Sequence, residues 1–358
     1  MSSAPSNSAL DASDELTQAV LTAYHEGTPL RIEGSGSKAQ SGLPVQGEAL
    51  SVIHHRGITT FEPTELVLSA RAGTPLSDLE AALEEAGQML PFEPPHLGEG
   101  DTLGGVLACG LSGPRRPFAG AARDLVLGVR IINGRGENLH FGGEVMKNVA
   151  GYDIARLMVG AHGTLGVLLE ASMKVLPRPA VNITRVLELD ETQALEKMAA
   201  LGGEPFPLSG LAYHDGRVYI RLSGSAAGVA AASREIGGET LVHDAAWWRQ
   251  LADQKNPFFT GDAPLWRLAL PPAVPPLPVA GHWLHDWGGS QRWLRSRAEG
   301  SVIRAAAAAA GGHAACIKGP VHERALGPHA TLLALHKKLK TAFDPKRILN
   351  PGRMHPDL

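Results

Sequence analysis

LGEGDTLGGVLACGLSGPRRPFAGAARD, running from Leu97 to Asp124, carries Thr102-Leu103-Gly104-Gly105 at its centre and Ser112-Gly113-Pro114 just behind. Such a run lacks the side-chain bulk to build a core of its own. Glycine is used where backbone must approach another group closely or adopt positive φ. Successive N–H groups freed in this way form concave nests that bind anions such as pyrophosphate. Leu103, Val106, Leu107, Cys109 and Leu111 are apolar and spread through the run. That distribution favours burial over a bare surface loop. The stretch reads as a buried loop that cradles a ligand.

Working outward, the upstream chain opens with a helix whose apolar positions Leu16, Val20, Ala23 and Tyr24 follow Ser13 as N-cap and end at Gly27. A short strand, Pro29–Ile32, then runs into Gly34-Ser35-Gly36-Ser37-Lys38. This turn lacks the third glycine of the Rossmann fingerprint and the Gly-Lys-Ser/Thr of a phosphate loop. A turn whose amides face a phosphate and a plain Gly/Ser turn account for it equally well. Strands are expected at 50–54 and 65–70. A helix follows, with Thr74 as cap, Pro75 in its first position and Leu76, Leu79 and Leu83 inward. Downstream, Asn133-Gly134 marks a hairpin. KNVAGYD (147–153) and GTLGV (163–167) form a second glycine-dense loop between apolar segments.

From Val181 the texture changes to regular strands and helices. The order β-α-β-β-α-β over 181–243, with Asp215-Gly216 as a hairpin turn, is a ferredoxin-like unit. A shortened echo occupies 265–318. Residues 181–320 are therefore expected to form one antiparallel α+β domain, with a helix at 330–343 closing the chain.

The totals exclude several classes. At 358 residues and a net charge of −3 with both signs interspersed, the chain has no basic face for nucleic acid. Its two cysteines, Cys109 and Cys316, form neither a CxxC pair nor iron–sulfur spacing. The first residues show neither a basic nor an apolar leader region, and no apolar run is long enough to cross a bilayer. A cytoplasmic protein is expected, peripheral at the inner membrane only through partners.

The ordered set GSGSK, FEPP, TLGG, SGP, KNVAGYD, GTLGV and terminal FDP…NPGR resembles the vanillyl-alcohol-oxidase, PCMH-type family of FAD-binding flavoenzymes. Within it, VMKNVAGYD…GTLGV followed by MKVLPRP is similar to FAD-binding subunits of bacterial glycolate oxidases. The resemblance covers nearly the whole chain. It implies an α+β fold: a two-lobed FAD-binding domain over residues 1–180, a ferredoxin-like cap over 181–320, and a tail, 321–358, returning to the FAD domain. Gly34, Ser35, Gly36 and Ser37 would cradle the pyrophosphate. Pro94, Pro95, Thr102, Gly104 and Gly105 would line the diphosphate and ribityl region, with Ser112, Gly113 and Pro114 beside the isoalloxazine. Tyr152, Asp153, Gly163, Gly166 and Val167 would close the pocket around the ribityl and adenosine portions. The flavin would carry the redox step.

The chain departs from the family in two places. The turn at 34–38 has no His or Cys for a covalent flavin link and Cys109 lies in an apolar segment, so FAD is expected to be non-covalent. The histidine-rich HxGDGNxH metal signature of related 2-hydroxy-acid dehydrogenases is absent, and no metal site is expected. His282, His285 and His313 read as packing or surface residues. A substrate carboxylate would want a bidentate guanidinium: Arg267 first, then Arg115 or Arg116. His96 or His285 would take the hydroxyl proton. The resemblance thus implies an FAD subunit that takes part in oxidising glycolate, or a close 2-hydroxy acid, to the 2-oxo acid. Electrons would pass to a second flavoprotein subunit and an iron–sulfur subunit. The alternative is a non-catalytic, FAD-bearing relay or assembly subunit of the same complex. Trp247, Trp248, Trp283 and Trp287 would anchor partners only if not core.

Overall fold

A computed structural model describes residues 10–143, 153–324 and 330–358. The N-terminal helix, Ser13–Glu26, packs Leu16, Val20 and Ala23 against a parallel strand pair, Leu30–Glu33 and Glu48–Ser51. Ser13 lies inside this helix rather than capping it. Its hydroxyl donates to Asp11 Oδ1 at 2.6 Å, and Gly27 ends the helix at φ 74°. The same core takes Ile348 and Leu349 from the C-terminal tail.

The second lobe is an antiparallel five-stranded sheet, ordered Ile58–Glu62, Val67–Arg71, Val167–Lys174, Val126–Ile132, Asn138–Gly142. Helices Leu76–Glu85 and Leu103–Cys109 supply Leu76, Leu79, Leu83, Leu103, Val106 and Leu107 to its core, all fully buried. Thr74 is not the cap expected. Pro75 occupies that position, while the Thr74 hydroxyl accepts from Gly57 N at 2.9 Å and donates to Arg71 O at 2.6 Å. The expected hairpin forms, with Asn133 Oδ1 accepting from the Arg135 and Glu137 amides.

We label the strands of the large sheet β1 (Val181–Glu188), β2 (Leu208–His214), β3 (Arg217–Gly224), β4 (Glu239–Thr240), β5 (Leu265–Ala269), β6 (His282–Asp286), β7 (Gln291–Arg295) and β8 (His313–Lys318). Their order is β4-β1-β3-β2-β6-β7-β5-β8, with every pairing antiparallel. Two ferredoxin-like halves, 4-1-3-2 and its mirror in the sheet, meet where Tyr213 pairs with His285. Helices Glu191–Gly202 and Ala226–Ile236 cover the first half. Helix Gly300–Ala309 covers the second, and the missing helix is replaced by the proline-rich segment 271–281. Buried Arg292 ties that segment down by donating to Val274 and Pro275 carbonyls.

Candidate functional site

The strand Leu30–Glu33 delivers the chain into the turn at 34–38, where Gly36 takes φ 77°. The backbone N–H groups of Ser35, Gly36, Ser37 and Lys38 have no acceptor among the described residues. A run of free amides is an anion nest. The turn lies so close to Thr102 that a Cβ on Gly34 would sit 2.7 Å from its hydroxyl. Lys38 Nζ stands 2.6 Å from Asp101 Oδ1 and 3.1 Å from Ser37 Oγ. Asp101 also accepts from Leu97 N at 2.6 Å and from the Ser37 hydroxyl, so it joins the turn to the central stretch.

The central stretch differs from the loop expected. Leu103–Cys109 is a two-turn helix with Thr102 as N-cap, its hydroxyl accepting from Gly105 N at 3.2 Å. Glycines at 104 and 105 let this helix approach its surroundings: a Cβ on Gly104 would lie 2.7 Å from Ala72 Cβ. Turn, helix, the 162–166 loop and the tail line an open cleft of about 890 Å³, counting the space that opens to solvent.

Gly34, Ser35, Gly36, Ser37, Thr102, Gly104, Gly105, Gly163 and Gly166 all line this cleft. Val167 is fully buried behind it. Pro94 and Pro95 are buried and do not line it. Ser112 Oγ accepts from Ala122 N at 3.1 Å, Gly113 lends its carbonyl to the cap, and Pro114 is buried. Asp153 is exposed, caps the helix Ile154–Met158, and pairs with Arg156 at 2.9 Å, away from the cleft. Tyr152 lies outside the described residues. Lys38, Cys109, His162, Asn350 and Arg353 also line the cleft. Lys38, Asn350 and Arg353 stand in the motifs quoted above, but nothing local in sequence shows that tail and turn meet. Cys109, read as part of an apolar segment, faces the cleft from the helix end, and burial raises its thiol above the usual range. Burial, with Arg353 and Arg267 nearby, lowers His162 to about 4 and keeps it neutral.

The large sheet joins this lobe through charged and aromatic contacts. Glu93 accepts from Arg221 of β3 at 2.9 Å and from Arg115 at 3.1 Å. The Trp287 indole N–H donates to Gly113 O at 3.0 Å. Asp253 Oδ1 accepts from His96 N at 2.8 Å.

Register fixes which cap residues share a face. Arg267 pairs with Trp293 and Trp293 with Leu284, so these three point one way. His285 pairs with Arg292 and points the other way. There it is fully buried, stacked between Tyr213 and Trp283, with Nε2 2.8 Å from Glu191. Burial lowers its pKa, against the pull of Glu191. His96 lies 3.1 Å from Glu80. Neither histidine expected as a base lines the cleft. Arg267 is half-buried, and its proton affinity is lowered by desolvation and then by Arg116. Trp248 and Trp287 are buried, and Trp247 and Trp283 half-buried. Among the described residues no group of three or more His, Cys, Asp or Glu could hold a metal, and no helix is long and apolar enough to cross a membrane.

The FAD binding domain family matches residues 9–142, and the FAD linked oxidase C-terminal domain family matches residues 321–354. Glycolate oxidase subunit GlcE of Escherichia coli K12 is 50% identical over 97% of this chain and 99% of its own length. Glycolate oxidase subunit GlcD of Bacillus subtilis 168 is 30% identical over 48% of this chain and 37% of its own. A solved alkyldihydroxyacetonephosphate synthase shares the fold at TM-score 0.64 and 15% identity, over 94% of this chain and 74% of that one. The two cofactor segments and the full-length match to GlcE lead to one conclusion: the chain is an FAD-binding flavoprotein and belongs to the FAD-linked oxidase family of glycolate oxidase GlcE subunits.

Proposed function

We propose that this chain is the FAD-bearing subunit of a heteromeric glycolate oxidase, taking part in the oxidation of a 2-hydroxy acid, glycolate first, to the 2-oxo acid. The observation that carries this reading is the cleft itself, where free amides, close-packed glycines and a returning tail converge. That lining suits a long, doubly charged dinucleotide. Residues 1–180 with 321–358 would form the cofactor unit, and 181–320 the cap. Bound there, FAD would supply the hydride-accepting chemistry.

The amides of Ser35–Lys38 would meet the pyrophosphate, and Lys38, held by Asp101, would place one cation beside it. Gly104, Gly105, Gly163 and Gly166 would let backbone run close to the rest of the cofactor. With no His or Cys in the turn at 34–38, and with the cleft-lining Cys109 kept as the un-ionised thiol by burial, the cofactor would be held without a covalent bond. Arg267, on the cap face opposite to that of His285, would take the substrate carboxylate. Electrons would leave through a second flavoprotein subunit and an iron–sulfur subunit, which would also account for any peripheral membrane location.

A relay or assembly role is the second reading. It is favoured by the placement of His96 and His285, neither of which lines the cleft. A visible spectrum of the FAD-loaded chain, before and after anaerobic glycolate, separates the two. Bleaching by glycolate alone makes the chain catalytic. Bleaching only after the partner subunits are added supports the relay. A chain that takes up no FAD on reconstitution overturns both.

A further inference from the structure

Two consecutive backbone amides in the segment 93–101 are held from opposite sides of the cap junction. The His96 N–H donates to Asp253 Oδ1 of the cap at 2.8 Å, and the next N–H, of Leu97, donates to Asp101 Oδ2 of the cofactor lobe at 2.6 Å. Both carboxylates are buried. Hydrogen bonds to ionised acceptors are the strong ones, so each aspartate fixes the amide it accepts. Pro94 and Pro95 stand immediately before this pair, and their fixed φ stiffens the approach.

The segment is anchored at both ends. At its start Glu93 takes the left-handed φ 47° and accepts from Arg221 of β3 at 2.9 Å. Such a conformation persists only where the surroundings fix it. Further along, His96 Nε2 lies 3.1 Å from Glu80, which stands 3.6 Å from Arg249 on the cap helix Asp244–Ala252. Arg249 Nε donates to Asp253 Oδ2 at 3.0 Å, so Asp253 is itself held in place. Toward the far end a Cβ on Gly98 would sit 2.8 Å from Ser37 Cβ. There Asp101 Oδ1 accepts from Lys38 Nζ at 2.6 Å and from the Ser37 hydroxyl. A continuous series of contacts thus runs from the cap, through Asp253, His96, Leu97 and Asp101, to the turn at 34–38. Asp253 itself does not line the cleft.

We propose that Asp253 is a positioning residue for the cofactor: by holding the His96 amide it sets the Leu97 amide that orients Asp101, and through Asp101 it sets Lys38 and Ser37 at the nest. Seating of the cap and binding of FAD then reinforce each other, because coupling between two sites is reciprocal. This rests on the reading above, in which the amides of Ser35–Lys38 meet the pyrophosphate. It adds a cap residue, outside the cleft, on which that contact depends.

The test compares FAD affinity of the full chain, read from flavin fluorescence, with amide hydrogen exchange at His96 and Leu97. In Asp253→Ala, FAD affinity falls at least fivefold. Exchange at Leu97 quickens in the FAD-free variant, while the core of the five-stranded sheet keeps its protection. Asp253→Asn retains an oxygen for the His96 amide and stays within threefold of wild type, although it loses the charge that meets Arg249 and Lys255. Lys255→Met removes an exposed partner of Asp253 without touching His96, and leaves FAD affinity unchanged. Because both aspartates act along one path, the Asp253→Ala/Asp101→Ala double variant binds FAD no more weakly than Asp101→Ala alone. In the wild type, FAD slows exchange at His96. Unchanged FAD affinity in Asp253→Ala, an Asp253→Asn variant as weak as Asp253→Ala, or losses that add in the double variant each overturn the proposal. So does exchange at His96 that FAD leaves unaltered, a result that can be read even if Asp253→Ala does not fold. A Gly36→Ala variant that binds FAD normally would instead overturn the nest reading, and exchange at Leu97 in the FAD-free Asp253→Ala chain would still decide this one.

Discussion

Asn350 holds Ile32, 318 positions earlier, by accepting the Ile32 N–H at 2.8 Å, while its own amide donates to His162 O at 2.7 Å. One side chain in the tail therefore ties the strand that enters the nest to the loop that closes the cleft. Asn350→Ala leaves the part-buried Ile32 N–H and His162 carbonyl without this partner. The expected cost is about 1–3 kcal/mol. Chemical denaturation should show that loss together with weaker FAD retention. Loss of stability with unchanged FAD affinity would confine Asn350 to a structural role.

Glu93 lies between two guanidinium groups from opposite sides of the cap junction. Burial raises its carboxyl, but Arg221 and Arg115 outweigh this and leave it lowered. Glu93→Gln leaves both cations underpaired, and removing one partner of a buried ion pair costs about 3–5 kcal/mol. Limited proteolysis should then separate cap from cofactor lobe more readily than in wild type. In the wild type this contribution is present above the ordinary glutamate pKa and is lost as pH falls.

Asp286 titrates in the opposite sense. Burial pushes its carboxyl up to about 7, against the Trp287 N–H that it accepts. Between the ordinary aspartate value and about 7 the folded protein holds a proton that the unfolded chain has released. This group therefore favours folding at low pH, and the benefit disappears as pH rises toward 7. Asp286→Asn should gain stability relative to wild type at pH 8 and lose that advantage at pH 4. Parallel stability curves for the two proteins across this range would refute the assignment.

The nest can be tested without chemistry on a substrate. At Gly36 an added Cβ meets nothing within 4 Å, so Gly36→Ala is opposed only by φ 77°, at about 1–2 kcal/mol. Lys38→Met removes a cation held 2.6 Å from Asp101 and leaves that buried carboxylate without its counter-ion. Both variants should bind FAD more weakly in a fluorescence titration. Lys38→Met should also lose much of the salt dependence of binding, since screening acts on the charge that has been removed. An unchanged salt dependence would show that Lys38 serves only to hold Asp101.

The cap was the most legible part. Alternating apolar residues, Asp215-Gly216 and capped amphipathic helices predict the first ferredoxin-like half within a few residues, because period and turn chemistry are local properties. The strand Ile58–Glu62 was missed. Its burial is partial and its partner strand, Val67–Arg71, supplies the apolar face. The helix Leu103–Cys109 was also hidden, since two glycines at its start argue against helix until a Thr102 cap and a tight packing partner favour it.

What the sequence by itself determined was the composition of the cleft: amide-rich turns, glycines where backbone must come close, and no group for a covalent flavin link in the turn at 34–38. Those follow from residue type and order. Only the tertiary structure decided which residues share the site. It brought Asn350 and Arg353 to the turn at 34–38, turned Cys109 toward the cleft, and put Arg267 on one sheet face and His285 on the other. These depend on strand register and on contacts across hundreds of residues. A one-residue shift in register would reverse every side chain on the strand, and nothing in the local sequence measures it.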